Sequence, residues 1–319
     1  MVCSNKNANL TNAKKVKNDE FYTLLKEVEK EVSQYDLKGK VIYCNCDDYR
    51  YSNFVKYFKD NFEELKIKKL IATNYDMGEG AFVYEYDGVN ELVQKLSGNG
   101  DFRSDECITY LQESDVVVTN PPFSLFREYI KQLMNYGKKF LVIGNQNAVT
   151  YKEIFPYIKE GKLKTGHKKM GAMEFKLPST AAIFKREENG IKYASLGCIC
   201  WFTNLETHKA DNPLELVEKY DPVKFPKYDN YDAINVDKVV DIPYDYDRVM
   251  GVPITIIDKV ADDGFIHCSK NEEDIKFIVI GAYNYSKDTN GKPWNAKIKD
   301  KYIYKRILVQ KYENSTNSN

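Results

Sequence analysis

The chain has 319 residues, 43% apolar and 13% aromatic, and its 47 basic and 47 acidic side chains leave no net charge. That suffices for one large domain or two modest ones, and it excludes the overall electrostatic pull of a strongly basic nucleic-acid binder. No apolar stretch is long enough to span a bilayer and Met1–Leu10 has no signal-peptide pattern, so a cytoplasmic location without a membrane partner is expected. Seven cysteines are scattered. Cys44/Cys46 and Cys198/Cys200 lie on apolar strands without metal-site spacing; they read as buried thiols, and no metal is expected.

Met1–Asn18 is polar, rich in Asn and Lys, and reads as a flexible arm. Asp19–Ser33 has helical spacing, with Phe21, Leu24, Leu25, Val28 and Val32 on one face. Lys40–Asn45 reads as a strand closed by Cys46-Asp47-Asp48, and Ser52–Leu65 as a helix. Strand, acidic turn and helix open a nucleotide-binding α/β sheet, although the usual Gly-rich turn is absent. Asp47 or Asp48 can hold an ammonium or a ribose; a solvated turn is the alternative. Lys68–Thr73 is a second strand, followed by Asn74-Tyr75-Asp76. An acid about 20–30 residues past the first turn is where a ribose diol is usually held. Ala81–Tyr86 alternates like a hairpin strand. Gly100-Asp101-Phe102 precedes a helix near Ser104–Gln112.

The β-branched run Asp115–Val118 reads as a buried parallel strand. It ends in Thr119 and Asn120-Pro121-Pro122-Phe123, where the prolines fix φ and donate no N–H. Ser124–Asn135 then has helical spacing. The tetrapeptide is thus a stiff loop at the carboxyl end of a strand, where open α/β sheets bind ligands. Lys138–Ile143 is a further strand, with Asn145-Gln146-Asn147 at the same edge as Asn120, and Thr150–Lys159 reads as a helix. Short strands follow at Ala172–Leu177, Ala181–Lys185 and Ile191–Phe202, which can complete the sheet with an antiparallel pair. Beyond Thr203 the chain is rich in Pro and Tyr, as in Tyr220-Asp221-Pro222, and reads as a loop-rich second region with strands at Val252–Ile257, Phe277–Ile280 and Ile303–Gln310. Lys159–Lys169 holds five lysines and one Glu, and Lys297–Lys311 six basic residues and one Asp. Each stretch can follow a phosphate backbone, with Lys168, Lys169, Lys299, Lys301 and Arg306 as contacts, or be a solvated face.

Asn-Pro-Pro-Phe matches the catalytic tetrapeptide of S-adenosylmethionine-dependent methyltransferases that act on a planar exocyclic amine. In that reading the Asn120 side-chain oxygen and the Pro121 carbonyl accept the two amine N–H groups, and Phe123 stacks on the substrate. Trp201, Phe202 and Phe175 are candidates for a second stacking ring. The acids then fall to the cofactor, with Asp101 on its adenine amino group and Phe102 against the ring. Asp19-Glu20-Phe21-Tyr22-Thr23 resembles the Phe-Tyr-Thr element that touches the methionine end of the cofactor in amino-methyltransferases.

Together these residues resemble the EcoRI-type adenine-specific (N6) DNA methyltransferases, from about Asn18 to Lys311. The segments that carry the resemblance are Asp19–Thr23, Val41–Asp48, Ile71–Thr73, Gly100–Glu106, Val116–Tyr129, Phe140–Asn147, Tyr151–Pro156, Trp201–Leu205, Lys227–Val236, Met250–Thr255 and Arg306–Val309. Tyr49 departs from it, standing where a proline is expected. The resemblance implies a Rossmann-like S-adenosylmethionine-dependent methyltransferase sheet over 19–203 and a target-recognition region over 204–311, between an arm at 1–18 and a tail at 312–319. It implies that Asn120, Pro121, Pro122 and Phe123 are catalytic. It implies that Phe21, Tyr22, Thr23, Asn45, Asp47, Asp48, Asp76, Asp101, Phe102 and Asn120 line the S-adenosyl-L-methionine site. The implied partner is duplex DNA with the target adenine flipped out, for a monomer of restriction-modification type beside a cognate endonuclease. A methyltransferase of RNA adenine or of a glutamine amide is the alternative, as is a catalytically inactive DNA-binding relative.

Overall fold

The computed structural model describes residues 22–78, 80–171, 173–177, 184–195 and 197–313. The chain divides into two units, one holding the residues up to Asn145 with Gly166–Leu205, the other Gln146–Thr165 with the residues from Glu206 onward. No helix among the described residues is long and apolar enough to cross a membrane.

In the first unit the strands run, in chain order, β1 (Tyr22–Thr23), β2 (Val41–Cys44), β3 (Lys69–Thr73), β4 (Phe82–Tyr86), β5 (Glu91–Lys95), β6 (Val116–Thr119) and β7 (Lys139–Asn145). β2, β3, β6 and β7 are near-continuous apolar runs, buried along most of their length. Only a strand covered on both faces tolerates that composition, which makes them the parallel centre of a sheet. They pair in the order β3-β2-β6-β7. β4 and β5 continue antiparallel beyond β3, and Ile199–Thr203 lies antiparallel beyond β7. The result is a mixed α/β unit around a parallel-strand sheet, consistent with the Rossmann-like methyltransferase arrangement. From β2 the chain steps to β3 on one side and later to β6 on the other, so the strand order reverses between β2 and β6.

Helix Phe126–Asn135 buries Phe126, Tyr129, Ile130 and Leu133, the spacing that packs one face on a sheet. Helix Asn53–Asp60 starts at Ser52, whose Oγ accepts from Phe54 N at 3.0 Å. The helix expected over Ser52–Leu65 breaks at Asn61, whose side chain donates back to the Tyr57 carbonyl at 2.8 Å, and a single turn, Phe62–Leu65, follows. The helix expected over Asp19–Ser33 covers only Leu25–Val32. Asp19, Glu20 and Phe21 lie outside the described residues, and β1 pairs with Phe175 and Lys176. Part of the strand expected at Ala181–Lys185 also lies outside them. The run Ile191–Phe202 is two strands in two sheets. Ile191–Ser195 joins β1, Glu174–Leu177 and Arg186–Glu188 in a small antiparallel sheet, while Ile199–Thr203 alone extends the large one.

The second unit, read from its Pro and Tyr content as loop-rich, is built on a six-stranded sheet. Its order is Leu214–Glu215, Phe265–Lys270, Glu273–Ala282, Arg306–Lys311, Met250–Pro253, Ile234–Asn235. Tyr228, Ala233, Trp294, Ala296 and Leu308 pack into one core against it. Phe265–Lys270, with Ile266 and Cys268 buried in alternation, is a strand that the sequence reading does not include. The helix expected over Thr150–Lys159 begins only at Phe155, with Pro156 in its first turn. A proline lacks the N–H that an earlier turn would need, so it sits at a helix start.

Candidate active site at the carboxyl edge of the first unit

The strand-order reversal sends the connections after β2 and β6 to opposite sides, and ligand sites of open α/β sheets lie at such a point. A cavity of about 850 Å³ opens there, lined by the turns after β2, β3 and β6. Thr23, Asn45, Asp47, Asp48, Asp76, Asp101, Phe102, Asn120, Pro121, Pro122 and Phe123 all border it. Residues scattered over a hundred positions of sequence therefore share one wall system. Phe21 lies outside the described residues.

The four acids are held in three ways. Asp47 is 8% exposed, with Ser52 Oγ donating to its Oδ1 at 2.6 Å and Thr119 Oγ1 donating to its Oδ2. Burial pushes its carboxyl up to about 6, against the pull of those two hydroxyls. Asp48 accepts from Arg50 through backbone N, Nε and Nη2. Partial burial raises its pKa, but the Arg50 hydrogen bonds and charge outweigh this and hold it below the usual value. Asp101 holds Arg103 in the same way, and chiefly that hydrogen bonding keeps its carboxyl low. Asp76 accepts from Gly78 N at 2.7 Å, a short turn that fixes the carboxylate after β3.

The backbone before Asp101 admits only glycine. Gly100 has φ +72°, and a Cβ there would meet the Asn74 carbonyl oxygen at 1.9 Å. Asn45, at the end of β2, is buried and accepts from the Tyr129 hydroxyl at 2.5 Å. Phe102 is also buried and meets the Tyr129 ring edge-on at 5.0 Å. Tyr129 thus braces two cavity walls; its helical spacing marked it as core, and nothing in that spacing signals the role of its hydroxyl. Ser52 and Thr119 were likewise missed, the first legible only as a helix cap. The Thr23 hydroxyl, buried at the cavity wall, has no partner among the described residues, which suits a polar ligand there.

Asn120 is half-buried, Pro121 buried and Phe123 half-buried at the same cavity. Trp201, Phe202 and Phe175 are each 0% exposed, so none of them can serve as a second stacking ring. Trp201 packs edge-on against Phe54, and Phe202 packs at a tilt against Phe126 instead. The exposed rings bordering the cavity are Tyr51 and Tyr75. Tyr49, in place of the expected proline, stacks flat on Tyr84 at 5.2 Å and 4°.

The basic stretches are partly consumed internally. Lys168 pairs with Glu27, and the neighbouring Glu31 accepts from His167 N and Lys168 N. In the second unit Arg306 is 8% exposed and donates to Asn235, Asp237 and the Tyr304 carbonyl. Lys169, Lys299 and Lys301 are exposed. Lys299 and Asp300 form the tip of a hairpin, both at positive φ, and the Asp229 carboxylate caps their two backbone N–H groups.

A reversal-point cavity, fixed acids at two strand ends and an Asn-Pro-Pro-Phe loop on a third define an amino-methyltransferase of the Rossmann-like class. The chain belongs to the family described as adenine-specific methyltransferase EcoRI, which matches residues 9–312. It is 46% identical over 283 residues to the type II methyltransferase M.EcoRI of Escherichia coli, covering 80% of this chain and 87% of that one. It is 40% identical over 317 residues to M.MgeORF184P of Mycoplasma genitalium, covering 94% and 98%. With M.MpnI of Mycoplasma pneumoniae it shares 36% over 314 residues, covering 95% and 98%. No solved structure matches the chain.

Proposed function

We propose that the protein methylates N6 of a flipped-out adenine at a specific site in duplex DNA, with S-adenosyl-L-methionine as donor, as the modification half of a restriction-modification pair. The observation that carries this is the placement of Asn120–Phe123 on the same cavity as Asp48, Asp76 and Asp101. When bound, the cofactor supplies a methyl group activated on a sulfonium. The residues present suit it: anchored carboxylates for ammonium, ribose and adenine amine, an unpartnered Thr23 hydroxyl, and a cavity within the ~300–1,000 Å³ range of small-molecule sites.

Adenine N6 is a poor nucleophile because its lone pair is delocalised into the ring. The Asn120 side-chain oxygen and the Pro121 carbonyl hold both of its N–H groups and favour a tetrahedral nitrogen as charge develops there. The two prolines stiffen this loop, so alignment is set before the base arrives. The target atom is buried in the duplex, so the base leaves the stack, and Phe123 replaces part of the lost stacking, about 1–3 kcal/mol. Lys169, Lys299 and Lys301 lie against phosphates, and base-edge reading belongs to the second unit. Methylation-aware sequencing of DNA from cells expressing the protein tests the proposal. N6-methyladenine at one recurring sequence is expected; a product on cytosine, or on RNA alone, would sink it.

A further inference from the structure

Thr119 is the last residue of β6 and directly precedes Asn120. Its hydroxyl, in a residue 0% exposed, donates to Asp47 Oδ2. The other oxygen of Asp47 accepts from Ser52 Oγ at 2.6 Å, and Ser52 Oγ in turn accepts the first amides of helix Asn53–Asp60. The Asp47 backbone N donates to the Thr73 carbonyl at 3.0 Å, at the end of β3. One buried residue therefore joins the carboxyl ends of β2, β3 and β6 and the start of a helix, its carboxylate reaching β6 and the helix and its backbone N–H reaching β3. These are the walls of the cavity described above.

A carboxylate is an expensive choice for such a junction, because burying its charge is opposed by lost hydration. What it offers in return is two charge-assisted acceptors pointing opposite ways, shorter and stronger than neutral ones. An amide can accept on one side only; its NH2 cannot receive a hydroxyl proton, so one of the two hydroxyls would have to turn round. We propose that Asp47 is a positioning residue, which through the Thr119 hydroxyl sets Asn120 relative to the turn after β2. The inference rests on the reading of Asn120 as the group that holds the substrate amine. Loop prolines fix the shape of Asn120–Phe123; Asp47 fixes where that shape sits.

The test compares Thr119→Val, which keeps volume and loses the hydroxyl, with Thr119→Ser, which keeps the hydroxyl, and with Asp47→Asn. Turnover on duplex DNA, cofactor affinity by calorimetry and Tm are measured for each. Thr119→Val is expected to lower kcat on the order of 10–100-fold, as misplacement of a reacting group does, with cofactor Kd within about twofold of wild type. Thr119→Ser should restore kcat, and Asp47→Asn should lose it without loss of Tm. Wild-type kcat in Thr119→Val, or loss that Ser does not restore, overturns the proposal. If Thr119→Val is too unstable to assay, Asp47→Asn decides: full kcat in a folded Asn variant overturns it equally. Asn120→Ala in the same assay separates the two levels. An inactive Asn120→Ala beside a normal Thr119→Val removes only the tether, whereas an active Asn120→Ala removes the reading of Asn120 and the tether with it.

Discussion

Asp101 grips Arg103 two residues along the chain, with Oδ1 accepting from the Arg103 backbone N and Nε at 2.9 Å each and Oδ2 accepting from Nη2 at 2.7 Å. Asp48 and Arg50 repeat the arrangement at the turn after β2. Both carboxylates are thereby locked in place and kept ionised, and at Asp101, whose Oδ2 takes the Arg103 Nη2 bond, one lone pair of that oxygen stays available to a ligand. If the cavity takes the cofactor as proposed, Asp101→Ala should weaken cofactor binding by about tenfold, since it removes an acceptor and leaves Arg103 uncompensated near a cationic ligand. Glu128, already 3.1 Å from Arg103, can take up only part of that charge. Calorimetry with S-adenosylmethionine checks this, and an unchanged Kd would remove Asp101 from the cofactor site.

Asn120→Ala should behave in the opposite way. It deletes the side-chain acceptor for the substrate amine and leaves the acids untouched. Loss of one preorganised acceptor costs on the order of 10²–10³ in kcat. Cofactor Kd should stay within about twofold. Turnover within threefold of wild type would show that Asn120 serves the loop and not the reaction.

The parts of the site that the sequence revealed are those where a single residue type has one physical reason to stand. Pro121 and Pro122 end a β-branched run, and the acids follow apolar strands, so both could be placed at a sheet edge without coordinates. Hydroxyls and aromatics gave no such signal. Thr119 reads as one more β-branched strand residue, Ser52 as a helix cap and Tyr129 as a core position, because only their partners in space distinguish them. Trp201 and Phe202 were misread for the related reason that a large ring next to a strand end looks alike whether it faces a cavity or the core. In the second unit Glu273–Ala282 follows an alternating pattern of burial, yet Pro- and Tyr-rich connections between strands mask the sheet it centres.

The carboxyl of Asp47 makes stability depend on pH. Its folded value of about 6 lies above the ordinary 3.8, so the folded protein holds this proton more tightly than the unfolded chain. The group's contribution is fully present below 3.8 and is lost as pH rises through about 6. At neutral pH the charged group therefore costs on the order of 3 kcal/mol. Asp47→Asn should raise Tm at pH 7.5, and the gain should shrink as pH falls toward 4.5. Calorimetric unfolding across that range checks it; a gain independent of pH would mean that burial of charge is not its source.

Lys299 and Lys301 offer the clearest test of the proposal that the second unit meets DNA. Lys299 stands at the tip of a hairpin and Lys301 just after it, and the tip backbone is pinned by Asp229, so truncating their side chains should leave the turn intact. Lys297 on the same hairpin is occupied by Asp300 at 2.8 Å, and Arg306 is buried, so these two lysines hold its outward charge. Phosphate contacts add affinity without sequence preference, and each releases counterions on binding. The double variant Lys299→Ala/Lys301→Ala should thus weaken binding to all duplexes alike. It should flatten the slope of log affinity against log salt by about one unit per lost contact. The methylated sequence should be unchanged. An unaltered salt slope would leave these lysines as a solvated tip, and an altered recognition sequence would mean that the hairpin reads base edges.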